Sequence, residues 1–303
     1  LMLAYAWTRA VTLDVEDMED CLEELAQRID SAPDISPEDR AGLRGELLTI
    51  RASRAFPMGD MEATVQYAEE ALAQLPDAHG VVRSVVAHTR ANAYQFLGKM
   101  EASADAYGQA IAEGRRAGNH FIAFSGTVNL GELYRLQGRW HDAEVLYRDA
   151  LAWADAHQAK PLGGLVHAGL GLIHWDRWDL TQARQYLERG VELSRRTGTH
   201  TLEILASGAL ACLTQHQGEQ EEARQWLDKI LTLSQRLDYV EAVGFADLLE
   251  AQCYIARNDS VALERWVTQR RYLMQLSPDM QALEAQIVAH VRLALGESQE
   301  ALG

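Results

Sequence analysis

Cysteine is scarce in this 303-residue chain: Cys21, Cys212 and Cys253 are odd in number and far apart, with no C-x-x-C spacing. That excludes a disulfide framework and a cysteine zinc knuckle, and it fits reduced thiols buried as small hydrophobes in a cytoplasmic protein. Long apolar runs are absent too. No stretch approaches the roughly 18 to 20 residues that span a bilayer, and no charged-then-apolar signal segment opens the chain, so we expect a cytoplasmic protein with no membrane contact. Basic charge is in deficit, with 28 Lys and Arg against 44 Asp and Glu and a formal net charge of −16. Nucleic-acid affinity comes largely from cations that neutralise phosphates, so these residues are poorly suited to DNA, and anionic membranes are disfavoured likewise. Strand patterning, with its period of two, is missing as well.

What is present is a ruler. A helix-breaking residue followed five positions later by a small or apolar one occurs at Gly59/Thr64, Gly98/Ser103, Gly138/Ala143, Trp178/Ala183, Gly218/Ala223, Asn258/Leu263 and Gly296/Ala301. The intervals between those breakers are 39, 40, 40, 40, 40 and 38 residues. An earlier pair, Leu13/Met18, stands 46 residues before Gly59. Glycine tolerates the positive φ that ends one helix and lets the next turn back on it, so each breaker predicts the corner of a helical hairpin. In the second helix of each hairpin Tyr107/Ala110, Tyr147/Ala150, Leu187/Gly190 and Leu227/Ile230 share the face of the small residue at helical spacing, and that face is expected to pack inward. In the first helix Ala91, Gly131, Gly171, Ala211 and Ala251 stand seven residues before the breaker, where a small side chain permits a close crossing.

Between hairpins the chain is polar and helix-breaking, at Leu75-Pro76-Asp77, Ala117-Gly118-Asn119, Ala159-Lys160-Pro161, Thr197-Gly198-Thr199 and Ser277-Pro278-Asp279. First helices are predicted near 1–12, 38–57, 80–97, 120–137, 161–176, 200–217, 240–256 and 279–295. The fold class that follows is all-α: a right-handed solenoid of antiparallel helix pairs, with seven hairpins and an eighth begun. We read 1–303 as a single superhelical domain with repeats near 1–36, 37–78, 79–118, 119–158, 159–198, 199–238, 239–278 and an incomplete 279–303. Because the chain opens on Leu1 and closes on Gly303 within a half-finished repeat, we expect it to be a fragment of something larger.

The run Leu130-Gly131, Tyr134, Gly138, Ala143, Tyr147 and Ala150-Leu151 resembles the tetratricopeptide signature, stretched by longer helices. Whole phrases carry a narrower likeness: Leu3 with Ala6-Trp7, GELYRLQGRWHDAEVLYRDALAWA at 131–154, and GLIHWDRWDLTQARQYLERGVELSRRTG at 171–198. These resemble the repeat domain of the MalT-type, large ATP-binding members of the LuxR family of bacterial transcription regulators. The resemblance implies a nucleotide-binding switch domain before the repeats, a helix-turn-helix DNA reader after them, and an inducer received by the superhelix. No G-x-x-x-x-G-K-[ST] phosphate loop and no basic recognition helix occur in these residues, so no cofactor is expected here and DNA would be reached only through a domain outside this chain.

Signs of chemistry are weak. His167 and His174 share a helix face but lie about 10.5 Å apart along the axis, too far for one zinc ion. Gly163, Gly164, Gly169 and Gly171 have the wrong spacing for a nucleotide loop and are read as close packing. Glu221-Glu222 is read as the solvated start of a helix, where acids favour the dipole. Hydrolase and zinc-protease motifs are missing, so no catalytic residue is assigned. With first helices lining the concave side, positions three, six and ten before each corner would face the groove. They give Trp7, Ser53, Phe56, His88, Asn92, Gln95, Glu132, Arg135, Trp175, Gln215 and Gln252. This polar surface with aromatic platforms suits a small-molecule inducer, or alternatively a peptide or protein held by a free-standing scaffold. Glu132 and Arg135 read first as an i,i+3 pair, and Trp178 as a substitute for glycine that fills its corner.

Overall fold

The computed structural model describes residues 18–237, 248, 250–255, 257–269 and 287–296. Trp7, the helix expected at 1–12, Ala301, the joint at Ser277-Pro278-Asp279 and parts of the helices expected at 240–256 and 279–295 lie outside them. The described elements are helical, and among the described residues no strand occurs. In chain order they are α1 (Met18–Ser31), α2 (Pro37–Ala55), α3 (Met61–Gln74), a 3-10 turn at Asp77–His79, α4 (Gly80–Phe96), α5 (Met100–Ala117), α6 (His120–Leu136), α7 (Trp140–Ala156), α8 (Lys160–Asp176), α9 (Leu180–Thr197), α10 (His200–His216), α11 (Gln220–Leu237) and α12 (Ser260–Gln269). Residues 250–255 and 287–294 are helical too. Among the described residues no helix is long and apolar enough to cross a membrane.

The chain folds as two compact units, Leu1–Ala150 and Leu151–Gly303. Each is a stack of hairpins. In the first, α2 packs on α3 and α4 on α5; in the second, α8 packs on α9 and α10 on α11. First helices of successive hairpins also touch, α2 with α4, α4 with α6, and α8 with α10.

The corners explain the period. Every breaker from Gly59 to Gly296 adopts a positive φ, between 51° and 81°, including Trp178 at 65° and Asn258 at 51°. One pattern of bonds closes six of them in turn: the corner N–H donates to the carbonyl three residues back, and the next N–H to the carbonyl five back. Gly138 to Arg135 at 3.0 Å with Arg139 to Tyr134 at 2.9 Å, and Trp178 to Trp175 with Asp179 to His174, both at 2.8 Å, are examples. These satisfy carbonyls that a helix end otherwise leaves open. The residue after the corner then caps the second helix where it is aspartate: Asp60, Asp179 and Asp259 accept the N–H groups of Ala63, Gln182 and Ala262.

Joints between hairpins end helices in two ways. Gly118, Gln158 and Gly198 take left-handed conformations, at φ 73°, 52° and 71°. The two earliest joints use an arginine from the following helix instead. Arg40 donates to the carbonyls of Ile29, Asp30 and Ala32 at the end of α1, and Arg83 to those of Leu72 and Leu75 at the end of α3. A cation there also opposes the negative end of the helix dipole.

The inward face is as expected. Thr64, Ser103, Ala143, Ala183 and Ala223 are fully buried, and so are Tyr107, Tyr147, Leu187, Leu227 and Ile230 to within a few per cent. Close crossings account for part of the glycine run. A Cβ on Gly171 would stand 2.7 Å from Leu187 Cγ, and one on Gly164 2.6 Å from Ser194 Oγ. Gly163 has no such constraint, since its nearest neighbour would be 3.6 Å away. Two expectations are corrected. Trp178 does not fill its corner: it is 63% exposed and rests edge-on against His216 at 4.7 Å. Glu222 is not simply solvated, because both its oxygens accept from Arg184 of the preceding hairpin at 3.0 Å. That hydrogen bond, outweighing partial burial, holds the Glu222 carboxyl below the usual range.

Candidate functional site

Residues three, six and ten before a corner project from the last turns of each first helix, beside the ninth residue after the corner, on the return helix. What they do depends on that ninth residue. At the Gly98 corner it is Tyr107, whose hydroxyl donates to Asn92 Oδ1 at 2.6 Å and lies 3.0 Å from Gln95 Oε1. Asn129 of the next hairpin donates to Asn92 Oδ1 at 3.3 Å and sits 3.2 Å from His88 Nε2. His88 meets the Tyr107 ring edge-on at 5.8 Å. His88, Asn92 and Gln95 therefore converge on one tyrosine. Burial lowers the His88 pKa from 6.5 to about 4, so the ring is neutral and can serve as an acceptor, and burial raises the Tyr107 phenol above its ordinary range.

Forty residues on, Tyr147 takes the place of Tyr107 and lies 3.2 Å from Glu132 Oε2. Arg135 holds the same carboxylate with two bonds, at 2.8 and 2.7 Å, so the pair expected from the sequence forms as a two-pronged clamp. Phe56 packs edge-on against Phe96 at 5.5 Å at the mouth of its corner, while Ser53 is half-buried without a comparable cluster.

At the Trp178 and Gly218 corners of the second unit the ninth residue is leucine, Leu187 or Leu227, and no hydroxyl is available. Trp175 packs half-buried against the cluster of Ala183, Leu187, Leu210 and Leu213. Trp175, Cys212, Gln215, His216, Gln252 and Cys253, drawn from three consecutive first helices, line a pocket of about 410 Å³. Three of the sequence-selected positions, Trp175, Gln215 and Gln252, are thus brought to one place. Gln215 Oε1 is buried there without a hydrogen-bond partner among the described residues. Burial, and then the neighbouring Cys253, push the Cys212 thiol up to about 12, which keeps it protonated. Both thiols pack with Ile204, Ala211 and Leu227, so the sequence reading of them as small hydrophobes describes them well.

His174 stacks on Tyr186 at 5.2 Å, nearly parallel, and His167 tilts against the same ring at 6.0 Å while bonding to Gly163 O at 2.8 Å. They share an aromatic contact, and among the described residues no group of three metal-ligating side chains forms. A second pocket, of about 460 Å³, lies at the opposite end of α10, with Arg195, His200, Glu203, Asp228 and Lys229 around Ile204 and Ile230. None of these residues was selected from the sequence. They are ordinary helix-surface residues in it, and only the approach of α9, α10 and α11 gathers them.

The fold is shared with known structures. The quorum sensor NprR from B. thuringiensis, in its apo form, superposes with a TM-score of 0.71 at 15% identity, over 99% of this chain and 81% of that one. The Rap conjugation gene regulator of the plasmid pLS20, in complex with the Phr* peptide, gives 0.60 at 14% over 100% and 97%. Aspartyl phosphate phosphatase F from Bacillus subtilis gives 0.69 at 13% over 99% and 90%. Among curated protein sequences none matches. The model of one family, described as the MalT-like TPR region, matches residues 45–303, and on that match this chain belongs to the MalT-like TPR family.

Proposed function

We propose that this chain is the sensing segment of a MalT-type regulator of the LuxR family, and that it binds a ligand rather than catalysing a reaction. Supporting this is one observation above the rest: in a family member matched over residues 45–303, consecutive repeats deliver Trp175, Gln215 and Gln252 to a single pocket with an unsatisfied amide. A concave site with an aromatic wall and a few polar groups is the usual form of a small-molecule site. Occupancy acts by shifting populations, and the ligand must prefer the active state by about 5.5 kcal/mol to move a switch from 1:99 to 99:1. ATP and DNA would be bound by neighbouring domains, and the protein would act in the cytoplasm as one sensory domain over 1–303.

The alternative is a peptide-binding scaffold, favoured by the Rap regulator whose structure holds the Phr* peptide. Peptide readers in grooves present free polar side chains to the peptide backbone along successive repeats. Here Asn92 and Asn129 are bonded to each other, and Gln95 is taken by Tyr107, which favours the small ligand. One structural neighbour is called a phosphatase, but a likeness at 13% identity speaks for fold alone.

The test is to read the gene on both sides of these residues. A phosphate-loop ATPase before residue 1 and a helix-turn-helix after residue 303 are expected. A frame with neither would transfer the protein to the scaffold reading.

A further inference from the structure

The Gly98 and Gly218 hairpins use the same register and share a glutamine three residues before the corner, but differ at the residue nine after it, and that difference bears on the chemistry of the pocket. Gln215 stands three residues before its corner, as Gln95 does, and Leu227 stands nine after it, as Tyr107 does. In the Gly98 hairpin the Tyr107 hydroxyl stands 3.0 Å from Gln95 Oε1. In the Gly218 hairpin leucine supplies no hydroxyl, and Gln215 Oε1 is left buried and unpartnered on the wall of a pocket of about 410 Å³.

We infer that this pocket takes a neutral aromatic ring carrying a hydroxyl, a phenol that replaces from solution the tyrosine the repeat lacks. The pocket lining meets each requirement of that ligand. Trp175 gives a flat wall for a ring to lie against. A hydroxyl both donates and accepts, so it satisfies either end of the Gln215 amide, whose buried unpaired state is otherwise costly. Apart from the His216 imidazole, the described lining contains no ionisable base and no carboxylate, so a charged ligand would lose its hydration with little to replace it. The ligand class rests on the pocket reading above, but binding is measured on the chain itself and not on its gene neighbourhood, so the two can fail separately.

The experiment compares 4-methylphenol with 1,4-dimethylbenzene, of nearly equal shape, for binding to the full 303-residue chain by ligand-observed NMR. The phenol is expected to bind about tenfold tighter, the worth of one recovered buried hydrogen bond. Gln215→Leu should keep the helical fold and erase the preference for hydroxyl over methyl. Leu227→Tyr should restore the internal hydroxyl, raise the thermal midpoint and weaken phenol binding at least tenfold. Ala211 stands seven residues before its corner, as Ala91 does in the hairpin that holds Tyr107. Equal affinity for the two probes, no binding of either, or a hydroxyl preference that survives Gln215→Leu would each overturn the inference. Should Leu227→Tyr not fold, Gln215→Leu decides alone.

Discussion

The Gly98 and Gly138 hairpins and the Trp178 and Gly218 hairpins share one backbone plan and solve its interior differently. The first two bury a tyrosine, Tyr107 or Tyr147, and spend the polar residues of the opposing helix on its hydroxyl. The others bury Leu187 and Leu227, and the opposing positions become Leu172/Trp175 and Cys212/Gln215. In the Trp178 hairpin both positions follow the change to apolar, and Trp175 packs against the Leu187 cluster. Where the tyrosine is lost but the glutamine stays, an amide oxygen is left unpartnered on a residue that lines a pocket. A repeat array tolerates such unevenness because each hairpin packs on its neighbours alone, so one unit can be stiffened while another keeps a cavity.

That contrast can be broken most severely by Tyr107→Leu, which gives a tyrosine hairpin the leucine interior without its apolar partners. Loss of ring volume and of the hydroxyl that donates to Asn92 and lies beside Gln95 should cost about 4 kcal/mol in urea unfolding. A cost below about 1 kcal/mol would mean that the network around Tyr107 contributes little.

Acid should separate the hairpins next. His88 is neutral when folded, with its pKa lowered to about 4 from 6.5. Above pH 6.5 both folded and unfolded chains hold it neutral and it contributes no pH dependence. As pH falls from 6.5 towards 4 the unfolded chain takes up the proton first, and stability drops by about 3 kcal/mol. His88→Val, which copies Val128 at the same position of the next hairpin, should flatten that part of the stability profile. An unchanged slope would place the acid sensitivity elsewhere.

A smaller effect is expected at the corners. Trp178 holds φ 65°, a conformation that costs a side-chain-bearing residue about 1 kcal/mol or more, and its exposed ring returns only the edge contact with His216. Trp178→Gly should therefore stabilise by about 1 kcal/mol in thermal unfolding, whereas Gly138→Ala, at φ 73°, should destabilise by a similar amount. Destabilisation by Trp178→Gly would show that the Trp178–His216 contact outweighs the strain. Least of all, Arg135→Gln should cost only about 0.5 kcal/mol, because Tyr147 still holds Glu132.

Much of the fold was legible because its determinants are local. Reversal of the chain needs a positive φ at a fixed place, and the breakers from Gly59 to Gly296 disclose that place even where Trp178 and Asn258 replace glycine. The small residues at Gly171 and Ala211 disclose the close crossings in the same way. The candidate site was legible only in part. Register selected Trp175, Gln215 and Gln252, but it equally selected Gln95, Asn92, Glu132 and Arg135, which are engaged by tyrosines or by one another.

By itself the sequence determined an all-α array of hairpins, their corners, and the residue types offered at each position, since backbone conformation and helical periodicity act over a few residues. Tertiary structure alone decided which polar group found a partner. Asn129 reaches Asn92 and His88 from another hairpin, Arg184 reaches Glu222 across a joint, and Gln215 Oε1 reaches nothing described. Satisfaction of a buried group depends on what stands within about 3 Å of it, and residues some 40 positions apart are brought that close only by the packing of one helix on the next.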